Sequence, residues 1–105
     1  MNEISVGELA RRYRVGEDFL LLDVREPDEI AIAAISWAVT IPMGDVPDRL
    51  AELPAAKPIA VLCHGGGRSA RVTRFLNENG YPLAVNVAGG IRAWSAEIDP
   101  SVPEY

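Results

Sequence analysis

"AVLCHGGGRSARV", Ala60–Val72, reads as the end of a buried strand, a loop made almost wholly of backbone, and the start of a helix. The apolar run of "KPIAVLC" suits a strand covered on both faces. "SARVTRFLNENG" then sets Val72, Phe75, Leu76 and Asn79 on one helical stripe, with Gly80 as a stop signal. Between the two lie the only cysteine and the only histidine of the chain, Cys63 and His64, followed by Gly65, Gly66, Gly67, Arg68 and Ser69.

Outward from this unit the same alternation recurs. "FLLLDV" is a second short apolar run, ending at Asp23 and Val24, and "REPDEIAIA" follows with Pro27 suited to a first helical turn. "WAVTIP" reads as a short strand. "MGDVPDRLAELP" reads as a brief helix with Val46, Leu50 and Leu53 inward. "LAVNVAGG" is a last strand, and "IRAWSAEI" a short helix carrying Ile91, Trp94 and Ile98. At the start, Ser5 and Glu8 have capping-box spacing, and Val6, Leu9, Ala10 and Tyr13 recur at helical intervals. Strand and helix alternate throughout, which predicts an α/β fold with a mostly parallel sheet and helices on both faces. In such a sheet ligands bind beyond the carboxyl ends of the strands, so Cys63 and Asp23 are expected at one edge.

Bulk properties narrow the function. With 105 residues and no linker or repeat, one domain over residues 1–105 is expected. A net charge of −5 argues against nucleic-acid and membrane-surface binding. A single cysteine forms no internal disulfide and excludes multi-cysteine zinc sites. No signal core is present, and the apolar runs are too short to cross a bilayer. A cytoplasmic monomer without cofactor or metal is the expectation.

The loop has a chemistry of its own. Glycines permit positive φ, so the chain can curl with its N–H groups inward and form an anion-binding nest. A helix starting at Ser69 adds partial positive charge, and Arg68 adds a full one. Each feature favours a thiolate on Cys63, and a thiolate is a nucleophile. A lone cysteine is ordinarily a small buried hydrophobe; its place at the head of a glycine loop closed by arginine reverses that reading. His64 is expected to point away from its neighbour, as adjacent residues on a tight loop do. Arg71 and Arg74 are expected on a solvated helix face.

These residues resemble the single-domain rhodanese-like sulfurtransferases. "LLDVREPDE", "IPMGDVPDRLAELP", "NVAGGIRAW" and "EIDPSVPEY" are similar to successive parts of that family, and "CHGGGRS" is similar to its active-site loop, Cys-x-x-Gly-x-Arg-Ser. The resemblance implies a five-stranded parallel sheet flanked by helices on both faces. It also implies transfer of a sulfane sulfur from thiosulfate or a persulfide to cyanide or a thiol, through a persulfide on Cys63. The amides from His64 to Ser69 would cradle the sulfur, Arg68 would stabilise the loop and orient an anionic donor, and Asp23 and Arg25 would tie strand end to loop.

Related folds carry a phosphatase or arsenate-reductase loop with five residues between cysteine and arginine. Here four intervene, His64 to Gly67, and the shorter loop is similar to the sulfur-transferring kind. A persulfide relay serving one partner protein is the other alternative. In either case the acceptor must come from outside, since the chain has no second cysteine. One segment departs from the resemblance. Many members carry Gly-His-Ile-Pro-Gly-Ala where this chain has "AAISWA", Ala33–Ala38, and Trp37 is expected to pack over the sheet edge.

Overall fold

Side chains alternate across the two central strands and so divide the core in two. Leu21, Ala60 and Leu62 point to one face, and Leu22, Ile59, Val61 and Cys63 to the other. The chain is seen here in a computed structural model that describes residues 2–105. Its elements run β1 (Glu3–Ile4), α1 (Val6–Arg14), β2 (Leu20–Asp23), α2 (Pro27–Ile32), β3 (Val39–Thr40), two 3-10 turns (Met43–Asp45 and Pro47–Glu52), β4 (Ile59–Leu62), α3 (Gly67–Glu78), β5 (Ala84–Val87) and α4 (Gly90–Glu97).

The five strands form one sheet in the order β1-β5-β4-β2-β3, every pair parallel. Helices α1 and α4 cover one face through Val6, Leu9, Ala10, Ile91 and Trp94. The other face is covered by α3, through Val72 and Leu76, and by the 3-10 segment, through Val46 and Leu53. Both faces are therefore dry, which is why β2 and β4 carry continuous apolar runs. Full burial of Leu22, Leu62 or Leu76 contributes about 1.5–3 kcal/mol each.

The α/β architecture predicted from the alternation is the one observed, with differences at the edges. Strand β1 has two residues and no periodicity to announce it; it exists because Glu3 and Ile4 pair with Asn86 and Val87. The expected strand of "WAVTIP" is reduced to Val39–Thr40, an exposed edge. The helix expected in "MGDVPDRLAELP" is a pair of 3-10 turns broken at Arg49. Asn79 lies beyond the last turn of α3 and is exposed, so the buried stripe consists of Ser69, Val72, Thr73 and Leu76. Ser5 caps α1 as its spacing predicts, accepting the Glu8 N–H at 3.1 Å.

Trp37 packs as expected. Its ring stacks on Tyr13 with centroids 4.0 Å apart and meets Phe19 and Trp94 edge-on at 6.0 and 6.1 Å.

The topology fixes where a site opens. From β2 the chain goes outward to β3, then crosses back to β4 on the other side of β2. The loops after β2 and β4 diverge at this switch point and leave a crevice at the carboxyl ends of the strands. Cys63 directly follows β4 there, and Asp23 ends β2 beside Leu62.

Candidate active-site loop

The loop is built by fixing its carbonyls outward. The Cys63 and His64 carbonyls accept the N–H groups of Ile91 and Arg92, at 2.9 and 3.1 Å. These are donors that the first turn of α4 leaves unused. With the carbonyls held there, the amides that follow turn in toward the Cys63 sulfur. Gly66 N–H donates to Sγ at 3.1 Å, and the Ser69 hydroxyl lies 3.2 Å from it. The backbone N–H groups of Arg68 and Ser69 act on the sulfur as well.

Only part of the glycine reading survives. Among Gly65, Gly66 and Gly67, positive φ occurs at Gly66 alone, at +109°. A Cβ there would also sit 3.3 Å from the Gly89 nitrogen. Gly65 and Gly67 have ordinary backbone angles and open space around them. The strictest requirement for glycine lies outside the loop. At Gly90, φ is +60°, and a Cβ would collide with the carbonyl oxygens of Cys63 and His64. The helix after the loop starts at Gly67, two residues before the Ser69 expected to open it, so Ser69 sits within its first turn.

Cys63 is 1 % exposed. Burial pushes its thiol up, but the Ser69 hydroxyl and the N–H groups of Ser69, Gly66 and Arg68 outweigh burial, and the thiol lies below its ordinary value. His64 does not pair with Cys63. Its ring stacks on Tyr105, with centroids 4.2 Å apart and planes 19° from parallel.

Arg68 closes the loop through a partner the sequence did not single out. Its guanidinium grips both oxygens of Glu29 on α2, at 2.6 and 2.9 Å. Arg68 in turn holds the Glu29 carboxyl down at about 2. Tyr105 donates to the same carboxylate at 2.9 Å and accepts from Arg25 at 2.9 Å. Arg25 is wholly buried against Asp23, with Nη2 2.7 Å from Oδ2, and donates to the Glu29 and Ala33 carbonyls. The expected tie from Asp23 and Arg25 to the loop is thus indirect: they bind the backbone of α2 and Tyr105, and these reach Arg68 and His64. Arg71 and Arg74 are exposed on α3, as expected.

The structure therefore brings together Cys63, the N–H groups of Gly66, Arg68 and Ser69, and the Ser69 hydroxyl, and sets the His64 ring aside; the amides of His64, Gly65 and Gly67 make no such contact with the sulfur. It adds Glu29, Asn86, Gly90 and Tyr105. Glu29, Asn86, Gly90 and Tyr105 all stand within stretches that carry the family resemblance, "LLDVREPDE", "NVAGGIRAW" and "EIDPSVPEY", so position within a motif was the available signal. Among the described residues no group of three or more His, Cys, Asp or Glu side chains is placed to hold a metal ion. Among the same residues no helix is long and apolar enough to cross a membrane.

Comparison with known proteins places the chain in a family. YtwF of Bacillus subtilis is 39 % identical over 100 residues, which span 95 % of this chain and 96 % of that protein. A sulfurtransferase of Allochromatium vinosum is 38 % identical over 95 residues, covering 90 % of this chain and 89 % of its own length. The crystal structure of a rhodanese-like domain protein from Staphylococcus aureus superposes with a TM-score of 0.85 at 37 % identity, over 90 % of this chain and 91 % of that one. The model of the rhodanese-like domain matches residues 5–97, from the cap of α1 to the end of α4, and the chain belongs to the rhodanese-like domain family.

Proposed function

We propose that this protein transfers sulfane sulfur through a persulfide on Cys63. The observation that carries this reading is the ring of donors around one sulfur, Gly66 N–H at 3.1 Å and Ser69 Oγ at 3.2 Å, in a four-residue loop closed by Arg68. Such donors favour a thiolate before reaction and an anionic sulfur after it.

In the first half-reaction the Cys63 thiolate attacks the outer sulfur of thiosulfate or of a persulfide. A sulfur–sulfur bond forms to Cys63, the donor's own sulfur–sulfur bond breaks, and sulfite or a thiolate leaves with the electron pair. In the second, cyanide or a thiolate attacks the terminal sulfur and the Cys63 thiolate departs. Thiocyanate or a new persulfide is the product, and no net oxidant is required. Gly65 and Gly67 bring no side chain over the loop, which suits the entry of a slender donor.

Arg68 serves chiefly to fix the loop, because its guanidinium is already spent on Glu29. The amide nest then carries most of the attraction for an anionic donor. The acceptor is a separate molecule, a small thiol, cyanide or a partner protein's cysteine, because Cys63 has no second thiol in the chain to answer it.

The test pairs two measurements on the protein and on Cys63→Ser. Thiosulfate alone should raise the intact mass by one sulfur, a reductant should remove it, and thiocyanate should form with cyanide; Cys63→Ser should do none of these. Equal activity in the two proteins, or no adduct at Cys63, overturns the reading. Brisk turnover of an aryl phosphate would favour phosphoryl chemistry instead.

A further inference from the structure

Asn86 and Cys63 project from neighbouring strands to the same face of the sheet, beneath the first turn of α3, and Ser69 sits between them. The Ser69 hydroxyl lies 2.6 Å from Asn86 Oδ1 and 3.2 Å from Cys63 Sγ. It has one proton to give. The orientation of the Asn86 amide is fixed from behind, because its Nδ2 faces Glu3 Oε2 at 3.3 Å and the Gly66 carbonyl at 3.4 Å. Turning the amide over would set its oxygen against two acceptors, so Oδ1 stays aimed at Ser69. Ser69 is wholly buried and Asn86 is 3 % exposed, so water does not replace either partner cheaply.

A neutral Cys63 satisfies this arrangement completely: S–H donates to Ser69, and Ser69 donates to Asn86. A thiolate needs the Ser69 proton for itself and leaves Asn86 Oδ1 buried without a donor. Once a second sulfur is attached, the charge moves to the outer atom and Ser69 can return to Asn86.

We propose that Asn86 is a positioning residue that competes with Cys63 for the Ser69 proton, favouring the thiol and the sulfur-loaded form over the bare thiolate. It deepens the sulfur-transfer reading and requires only that Cys63 is the reacting group. Other charges near the thiol are committed elsewhere. Arg68 is bound to Glu29, Asp23 to Arg25, and Glu3 lies behind Asn86.

The test reads ionisation, not sulfur transfer. Thiolate absorbance in the ultraviolet is followed against pH, with Cys63→Ser as the blank. In Asn86→Leu the Ser69 proton is free for sulfur, and the thiolate-to-thiol ratio at a fixed pH should rise about fivefold. A residue that merely braced the loop would give the opposite sign, because a looser Gly66 N–H supports the thiolate less. In Ser69→Ala the ratio should fall, and adding Asn86→Leu should then change nothing. A fall in Asn86→Leu, or an equal rise with and without Ser69, overturns the proposal. The unaltered protein gives a second measurement that no folding defect can obscure. The Asn86 side-chain amide resonances should shift with the midpoint of the Cys63 titration, and resonances indifferent to it would also overturn the proposal. If the ratios behave as expected while thiosulfate leaves no adduct, the sulfur-transfer reading fails and the Asn86 competition stands.

Discussion

Glycine means different things at different points of this site. At Gly90 the missing Cβ is what lets α4 approach the backbone of Cys63 and His64, and the backbone there is left-handed. At Gly67 neither condition holds. Gly90→Ala should therefore cost about 2–3 kcal/mol in urea unfolding and weaken the thiolate, since it pushes away the donors that hold the two carbonyls outward. Gly67→Ala should stay within about 0.5 kcal/mol of the parent in the same measurement. Equal tolerance of alanine at both positions would contradict this account of the loop. The sequence made the run of three glycines conspicuous and the pair at Gly89–Gly90 merely familiar. Space around an atom is a property of what packs there, and a string of residues does not display it.

The elements beside the loop show the same division between local and distant signals. The strand, loop and helix around Cys63 were legible because their evidence is local: an apolar run, a cluster of glycines, a helical stripe. Glu29 was not, because its partner Arg68 is remote in the chain and the two meet only once the chain is folded. Helix α2 buries no side chain of its own. It is held by Arg25 through the Glu29 and Ala33 carbonyls and by the grip of Arg68. That grip has a pH signature. The folded-state value of Glu29, about 2, lies below the ordinary 4.5, so its contribution is complete above the unfolded value and fades as pH falls toward 2. At neutral pH Glu29→Gln should lose about 1 kcal/mol of stability, the usual scale for a partly exposed pair. Urea midpoints for the two proteins should converge as pH approaches 2. A gap that persists unchanged at that acidity would mean that Glu29 acts through something other than its charge.

Across the whole molecule, chemistry and ballast occupy opposite ends of the sheet. The loop lies beyond the carboxyl ends of the strands. The aromatic cluster lies at the other end: Phe19 precedes β2, Tyr13 closes α1, and the pairing of Leu22 with Val39 sets Trp37 near the start of β2. Trp37 links α1, the entry to β2 and α4 through three ring contacts. This is how the chain accommodates "AAISWA" where the family resemblance leads one to expect a turn rich in glycine and proline: a large side chain fills the space and ties the edge down. The parallel architecture was readable from the alternation of strands and helices. Strand β1 was not, since two residues show no period and their pairing with β5 is settled by the rest of the fold. Separation of the two ends leads to a divided outcome for one substitution. Trp37→Ala should lower stability by about 3–4 kcal/mol, as loss of a large, partly buried aromatic does. Well below its melting temperature the same variant should keep sulfur transfer and the Cys63 titration within about twofold of the parent, because Gly90, Ile91 and Arg92 still hold the loop from the far end of α4. Thermal unfolding followed by fluorescence measures the first effect, and thiosulfate turnover at low temperature the second. A large loss of turnover without loss of fold would mean that the cluster sets the position of α4, and through it the loop.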